Sequence, residues 1–269
     1  MVYNTGETSE ELRAKYNPEG SKLRKSQLRM VDMLLYLDRI FRENNIDYML
    51  CAGNILGAVR HEGEFIPWDD DLDIKVLRKD FKRAQQVILD NPHPQYVLQN
   101  HDTDPGYMGQ WAVLRDTKSE YIKKSVIHNI RKYRGIQIDI FPWDNGIPFW
   151  VRYCASQMQA RLLEPFIKIK FFKIANALFY LMYKVLFPMI IHICNKRNSN
   201  KYYPTLGTGW FIEYEESTLF PTKPIIFEGH QFPGPAKLDK YLKETYGDYM
   251  SLPPLDKRNQ HEAEYNIWD

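Results

Sequence analysis

The chain has 269 residues, 44% hydrophobic and 26% charged, with a formal net charge of +2. That balance excludes intrinsic disorder, and the length suits one large domain or a domain carrying an insert. Cys51, Cys154 and Cys194 are too widely spaced for a zinc site and too few for a disulfide framework, so reduced, structural thiols are expected.

In chain order, residues 1–29 are polar and lack the apolar core of a signal peptide, which predicts a cytoplasmic protein. Residues 21–41 place Leu23, Met30, Val31, Leu34, Leu35, Leu37, Ile40 and Phe41 near helical spacing, predicting an amphipathic helix stopped by Asn44 and Asn45. A short strand is expected over 47–51, then a Gly53 turn, a helix over 55–60 and a loop through Gly63 and Pro67. Residues 71–76 alternate, with Asp71, Asp73 and Lys75 on one face and Leu72, Ile74 and Val76 on the other, as in a half-buried strand. A helix over 80–89 and strands over 96–99 and 111–115 follow. Residues 136–141 alternate again, with Asp139 opposite Ile136, Ile138 and Ile140. From 149 to about 200 the chain turns helical, aromatic and basic. The remainder is proline-rich, with one helix over 238–246. The expected architecture is α/β: a catalytic core over 1–148, a helical basic segment over 149–205 and a loop-rich part over 206–269 that packs on the core.

The sharpest feature is the run Asp69, Asp70, Asp71, Leu72, Asp73, four carboxylates in five positions. An EF-hand is excluded because Ile74 stands where that loop needs glycine. A helical diphosphate-binding box conflicts with Pro67 and with the strand-like alternation. Asp71 and Asp73 also form a glycosyltransferase-like D-x-D, a weak signal taken alone. Gly53 between strand and helix lets backbone N–H groups approach a phosphate. Alternate aspartates can share one metal, and Asp139 supplies a carboxylate from a second strand. A Gly turn followed by two such acidic strands is the pattern of the nucleotidyltransferase superfamily. There two hard cations, typically ~3.5–4 Å apart, clamp the attacking and leaving oxygens of a phosphoryl displacement.

The run from Ala52 through Gly53, Arg60, His61, Pro67 and Trp68 to Ile74 resembles the signature of LicD/fukutin-related phosphotransferases. The similarity continues in residues 114–117, 138–142 and 241–254, with Lys257, Arg258 and His261 beyond. Two departures stand out: Asn54 replaces the usual Ser or Thr, and Glu64 is an extra loop residue. The resemblance implies a nucleotidyltransferase-like core binding one or two Mg²⁺ or Mn²⁺ ions. It implies Asp71, Asp73 and Asp139 as catalytic metal ligands, Asp139 alternatively taking the acceptor proton. Gly53 and Asn54 would contact donor phosphates. Arg60 and Arg115 would stabilise transferring charge or else pair internally with aspartates, and His61 and His261 are further candidates at substrate. Trp68, with Tyr107, Trp111 and Trp143, is a candidate for an aromatic box around a quaternary ammonium.

The implied activity is transfer of phosphocholine from CDP-choline to a sugar of a teichoic acid or lipopolysaccharide precursor, releasing CMP. Ribitol or glycerol phosphate from a CDP donor, a D-x-D glycosyltransferase and a non-catalytic scaffold are the alternatives. A lipid-linked glycan acceptor and a membrane surface are the expected partners, and no nucleic acid is. Between Arg152 and Lys201 nine basic residues face one acidic residue, Glu164, so that segment carries +8 and the rest of the chain −6. Residues 174–194 are nearly continuously apolar, interrupted near the middle by Lys184 and Pro188. A spanning helix, a buried hairpin and an interfacial amphipathic region are all compatible with that pattern. The last is favoured, on the inner face of the cell membrane.

Overall fold

The two alternating aspartate segments become neighbouring central strands of one mixed sheet. The structure is a computed structural model and describes residues 1–122, 125–194, 199–258 and 264–268. In chain order the strands of its first half are β1 (Tyr48–Leu50), β2 (Asp73–Leu77), β3 (Tyr96–Gln99), β4 (Ala112–Asp116), β5 (Ser119–Ile122) and β6 (Gln137–Asn145). The sheet order is β1-β2-β6-β4-β3, with β2 and β6 parallel and the other pairs antiparallel. Further along, β7 (Lys201–Pro204) pairs with the end of β6 at Trp143 to Asn145, and β8 (Tyr214–Glu215) pairs with β7. The class is α/β, as the interleaved periodicities predict.

Helices α1 (Ser9–Tyr16), α2 (Lys22–Glu43), α3 (Ala52–Arg60) and α4 (Arg78–Asp90) belong to the first half. Ser21 caps α2 by accepting from the Arg24 N–H, and Asn45 ends it with a left-handed φ of 51°. The buried face of α2 carries Met30, Val31, Met33, Leu34, Leu37, Ile40 and Phe41. Each such side chain contributes about 1.5–3 kcal/mol on burial, so α2 is a firm support. From that support Gln27 reaches the acidic loop, its Nε2 donating to the Asp69 carbonyl at 2.9 Å while Asn17 orients its Oε1.

Three local readings change. Helix α3 starts at Ala52 and not at residue 55, so Gly53 sits in its first turn; the Ala52 N–H is satisfied by the Tyr241 hydroxyl at 3.0 Å. Strand β2 starts at Asp73 and not at Asp71. Just ahead of it the Asn54 amide substitutes for a neighbouring strand, accepting from the Asp73 N–H at 2.8 Å and donating to the Asp71 carbonyl at 3.4 Å. Lys75 does not face solvent: it is buried, with Nζ 4.4 Å from the Trp143 ring centroid and 5.0 Å from that of Phe141.

The helical region comprises α5 (Val126–Asn129), α6 (Phe149–Met158), α7 (Glu164–Lys168), α8 (Phe172–Phe179) and α9 (Phe187–Cys194), with π-helical turns over Gln159–Leu163 and Tyr180–Leu186. Its apolar residues Leu163, Ile167, Phe179, Met182 and Phe187 form a second cluster with Met108, Ile147, Tyr203 and Leu206, apart from the main core. Beyond β8 lie α10 (Glu216–Leu219), a hairpin of β9 (Lys223–Phe227) and β10 (His230–Gly234), α11 (Leu238–Tyr246) and β11 (Glu264–Ile267), which pairs with β5. The hairpin reads as loop because Pro224 and Pro233 face each other across it, which only a two-stranded edge arrangement tolerates.

A β-carbon on Gly57 would lie 2.5 Å from the Glu64 carbonyl and 3.1 Å from the Ile66 nitrogen, whereas one on Gly209 meets nothing within 4 Å. Gly57→Ala is therefore expected to lower stability by about 1–3 kcal/mol in urea denaturation, because backbone cannot step aside. Gly209→Ala should be close to neutral; equal effects would contradict the close approach of α3 to the acidic loop.

Candidate active site

Asp73 and Asp139 are direct partners across the parallel β2–β6 pair, so their side chains project from the same face of adjacent strands. The Asp139 N–H donates to the Leu72 carbonyl at 3.0 Å, extending the pairing towards Asp71. Asp139 Oδ2 accepts from Gln137 Nε2 at 3.0 Å, and its buried Oδ1 has no hydrogen-bond partner among the described residues. Burial pushes the Asp139 carboxyl up to about 6; the Arg115 charge and the Trp111 indole oppose that, and Asp71 adds to it. Asp73 is held well above the usual carboxylate range by burial, then by Asp71 and Asp139, with Lys75 pulling the other way. Burial, followed by repulsion from Asp71 and Asp70, raises Asp69 in the same sense.

Beside these carboxylates lies a cavity of about 190 Å³ whose walls include Asp70, Asp71, Gln137 and Asp139. Asp70 borders the cavity with a structural task, its Oδ2 accepting from the Tyr121 and Tyr265 hydroxyls, which line the same cavity, at 2.6 Å each. Asp69 closes over α3, where a β-carbon on Gly53 would come 2.5 Å from Asp69 Oδ2. A carboxylate thus already occupies the approach to the Gly53 turn, the place where helix N–H groups favour an anion.

Hard oxygen donors, an unpartnered buried carboxylate oxygen and mutual repulsion among Asp69, Asp71, Asp73 and Asp139 fit a divalent cation chemically. Among the described residues no three His, Cys, Asp or Glu side chains already converge as a metal cage. An ion held by these carboxylates would require them to draw inwards.

The other predicted site residues separate into distinct settings. Asn54 is buried and fully engaged with the Asp71–Asp73 backbone, so it shapes the strand entry. Arg60 is buried and spends NH1 on the Tyr249 and Ser251 carbonyls, and Nε on His61 Nε2. That donation makes His61 Nε2 an acceptor and puts the ring proton on Nδ1, against the Tyr3 hydroxyl at 2.9 Å. Burial first, then Arg60, lowers His61 to about 3, so it stays neutral and lies outside the carboxylate cavity. Trp68 is buried against Tyr16 and His61, with the Arg258 guanidinium 5.4 Å from its ring centroid, which leaves no open face for a ligand cation. Arg115 is buried; Nε donates to Gln99 and NH1 to the Gly135 carbonyl, while NH2 is unpartnered among the described residues. Its charge reaches Asp139, as to a smaller extent does that of Arg131. His261 lies outside the described residues.

Of the aromatic candidates, Tyr107 and Trp143 are fully buried. Trp111 is half-buried, and it forms a shelf with Phe141 at 4.7 Å and Trp210 at 6.3 Å between ring centroids. Trp210 is 49% exposed, so this shelf has an accessible face adjoining the acidic strands. Gln137, Trp210, Tyr121 and Tyr265 are missed by sequence reasoning. Gln137 alone carried a signal, being two residues from Asp139 on the same face of an alternating strand.

Residues 45–178 match a family model described as LicD/FKTN/FKRP, nucleotidyltransferase domain. The lipopolysaccharide cholinephosphotransferase LicD of Haemophilus influenzae is 27% identical over 264 residues, covering 89% of this chain and 95% of that protein. An uncharacterized protein of Rickettsia prowazekii is 38% identical over 80 residues, 30% of this chain and 28% of its own length. Another from Rickettsia typhi is 39% identical over 64 residues, 24% and 20% respectively.

The raised Asp139 carboxyl fixes the sign of a pH effect. Its proton is held more tightly folded than unfolded, so cation-free protein loses stability as pH rises from the ordinary carboxylate range through about 6. With EDTA present, the thermal stability of Asp139→Asn relative to the parent should improve from acid to neutral pH, by about 1–2 kcal/mol after allowing for solvent reaching the half-buried group. A pH-independent difference would contradict the burial-raised Asp139 carboxyl.

Proposed function

The chain belongs to the LicD/fukutin-related family and is a phosphotransferase, and from that premise we propose that it moves phosphocholine from CDP-choline to a sugar hydroxyl of a lipopolysaccharide. The observation that carries the choline reading is the pair of rings offered by half-buried Trp111 and 49% exposed Trp210, packed on buried Phe141 of the strand that carries Asp139. A trimethylammonium group has no hydrogen-bond donor and is held by ring faces, worth about 0.5–2 kcal/mol per contact.

In this reading the acceptor oxygen bonds to the choline-bearing phosphorus, the bridging P–O bond to CMP breaks and CMP leaves. Asp71, Asp73 and Asp139 would hold Mg²⁺ or Mn²⁺, which when bound neutralises charge on the two phosphates. Asp139 either completes that cation site or, standing outside it, takes the acceptor's proton, a task suited to a buried carboxylate beside the reacting oxygen. Arg115 lies on the same side of Asp139 and offsets negative charge developing there. Asn54, Gln27 and the two tyrosines on Asp70 act through the loop, keeping Asp71 and Asp73 in register with Asp139.

Incubation with Mg²⁺ or Mn²⁺, lipopolysaccharide and a panel of CDP-choline, CDP-ribitol, CDP-glycerol and UDP-sugars tests the assignment. CMP release is expected with CDP-choline alone, falling by about 10²–10³ in Asp73→Asn. Release from CDP-ribitol or CDP-glycerol would move the chain to polyol phosphate transfer. UDP release would favour the D-x-D sugar-transferase reading. Trp210→Ala should raise KM for CDP-choline several-fold, in line with one lost cation–π contact, without lowering the melting temperature. An unchanged KM would remove the aromatic shelf from donor binding.

A further inference from the structure

We propose that the helical layer formed by α6 to α9 is a docking face for an anionic bilayer, on which the protein lies flat without spanning it. The helix Phe172–Cys194 has a mean hydropathy of 1.8, yet only 22% of its most apolar stretch is buried. One side packs on the protein through Ala175, Phe179, Met182 and Phe187. The other exposes Ile174, Leu181, Val185, Met189 and Ile193, which follow one another at roughly helical spacing along one stripe. Preceding turns continue the surface with Trp150, Leu162, Ile169 and Phe171, each 45–68% exposed. Scattered apolar residues on a surface need no explanation, but a stripe of large apolar side chains along the exposed side of one helix marks an interaction site.

Charge identifies the occupant. Arg161, Lys168, Lys170 and Lys173 are exposed along the same helices, and Glu164 is the one acidic residue of this layer, paired with Lys168 at 3.3 Å. A second copy of the chain would bring these cations face to face. A bilayer with anionic headgroups takes the apolar stripe into its boundary and leaves the lysines at headgroup level, and tryptophan and tyrosine favour that interface. Spanning is disfavoured because the packed side of Phe172–Cys194 is held in the second apolar cluster. In addition, Lys184, at mid-helix, is paired at 2.7 Å with Asp102, an exposed residue of the turn between β3 and β4, so a spanning helix would have to carry or break that ion pair.

The geometry also links this face to the catalytic side. Gln159, Glu164 and Ile167 help line a cavity of about 320 Å³, and Phe179, Tyr183 and Phe187 one of about 150 Å³; both adjoin Trp111. A bilayer-bound protein would meet an acceptor anchored in the same plane. The docking inference itself does not depend on which phospho-group is transferred.

The test is flotation of the full chain with vesicles of phosphatidylcholine alone, and of equal parts phosphatidylcholine and phosphatidylglycerol. Binding to the anionic vesicles is expected, weakened by salt. It should drop on the order of 100-fold in a Lys168→Glu, Lys170→Glu, Lys173→Glu variant, at about 1 kcal/mol per basic residue. Phe171→Ser with Leu181→Ser should also weaken it at constant charge; both residues are exposed, so circular dichroism should match the parent. Absence of binding to either vesicle, binding unaffected by the serine substitutions, resistance to alkaline carbonate extraction, or self-association through this face in place of vesicle binding would each overturn the proposal. CMP release from CDP-choline by protein free of vesicles is measured in parallel, so a failure here is distinguishable from a failure of the assigned activity.

Discussion

Everything at the site depends on one pairing, Asp73 against Asp139 across parallel β2 and β6. Parallel pairing projects both side chains from one face, so the fold holds like charges together that would separate in an unfolded chain. The surrounding structure opposes that repulsion mechanically. Gln27 on α2 and Asn54 on α3 hold the backbone on either side of Asp71, and Tyr121 and Tyr265 secure Asp70. Lys75, buried beneath aromatic rings on β2, relieves part of the charge on Asp73. The remaining excess is what a divalent cation would neutralise, the role proposed for the cluster above.

This arrangement divides four adjacent aspartates by environment. Asp70 becomes a clamp for the chain's C-terminal strand and Asp69 closes over the Gly53 turn, while Asp71 and Asp73 turn towards Asp139. The division is set by the switch from loop to strand at Asp73, since only residues in or leading into the extended segment can align with β6. The clamp also explains why so distant a segment as β11 borders the cavity: one hydroxyl, from Tyr265, ties it to the acidic loop.

Much of this was legible in the sequence, for local reasons. Period-two alternation located both acidic strands, helical spacing with Ser21 and Asn44 located α2, and the residues 238–246 helix emerged with its predicted bounds. Contacts made at long range were not legible. His61 reads as a candidate acid or base, and only the structure shows it enclosed by Tyr3 and Arg60. Trp68 reads as a ligand-facing ring until Arg258, far along the chain, covers it. Trp210 carries no motif at all; it matters because β7 and β8 return the chain beside β6 and bring its ring within 5.3 Å of Phe141. The paired prolines conceal the β9–β10 hairpin, since proline argues against a strand wherever the sheet edge is not known.

The central claim is that Asp71, Asp73 and Asp139 form a divalent-cation site that works on a CDP-linked donor. Electron paramagnetic resonance of Mn²⁺ titrated into the chain, with and without CDP-choline, tests it most directly. Immobilised Mn²⁺ is expected, with binding that tightens with the donor and disappears in Asp73→Asn. A free-ion spectrum throughout, in protein shown to be folded and with the donor present, would contradict it.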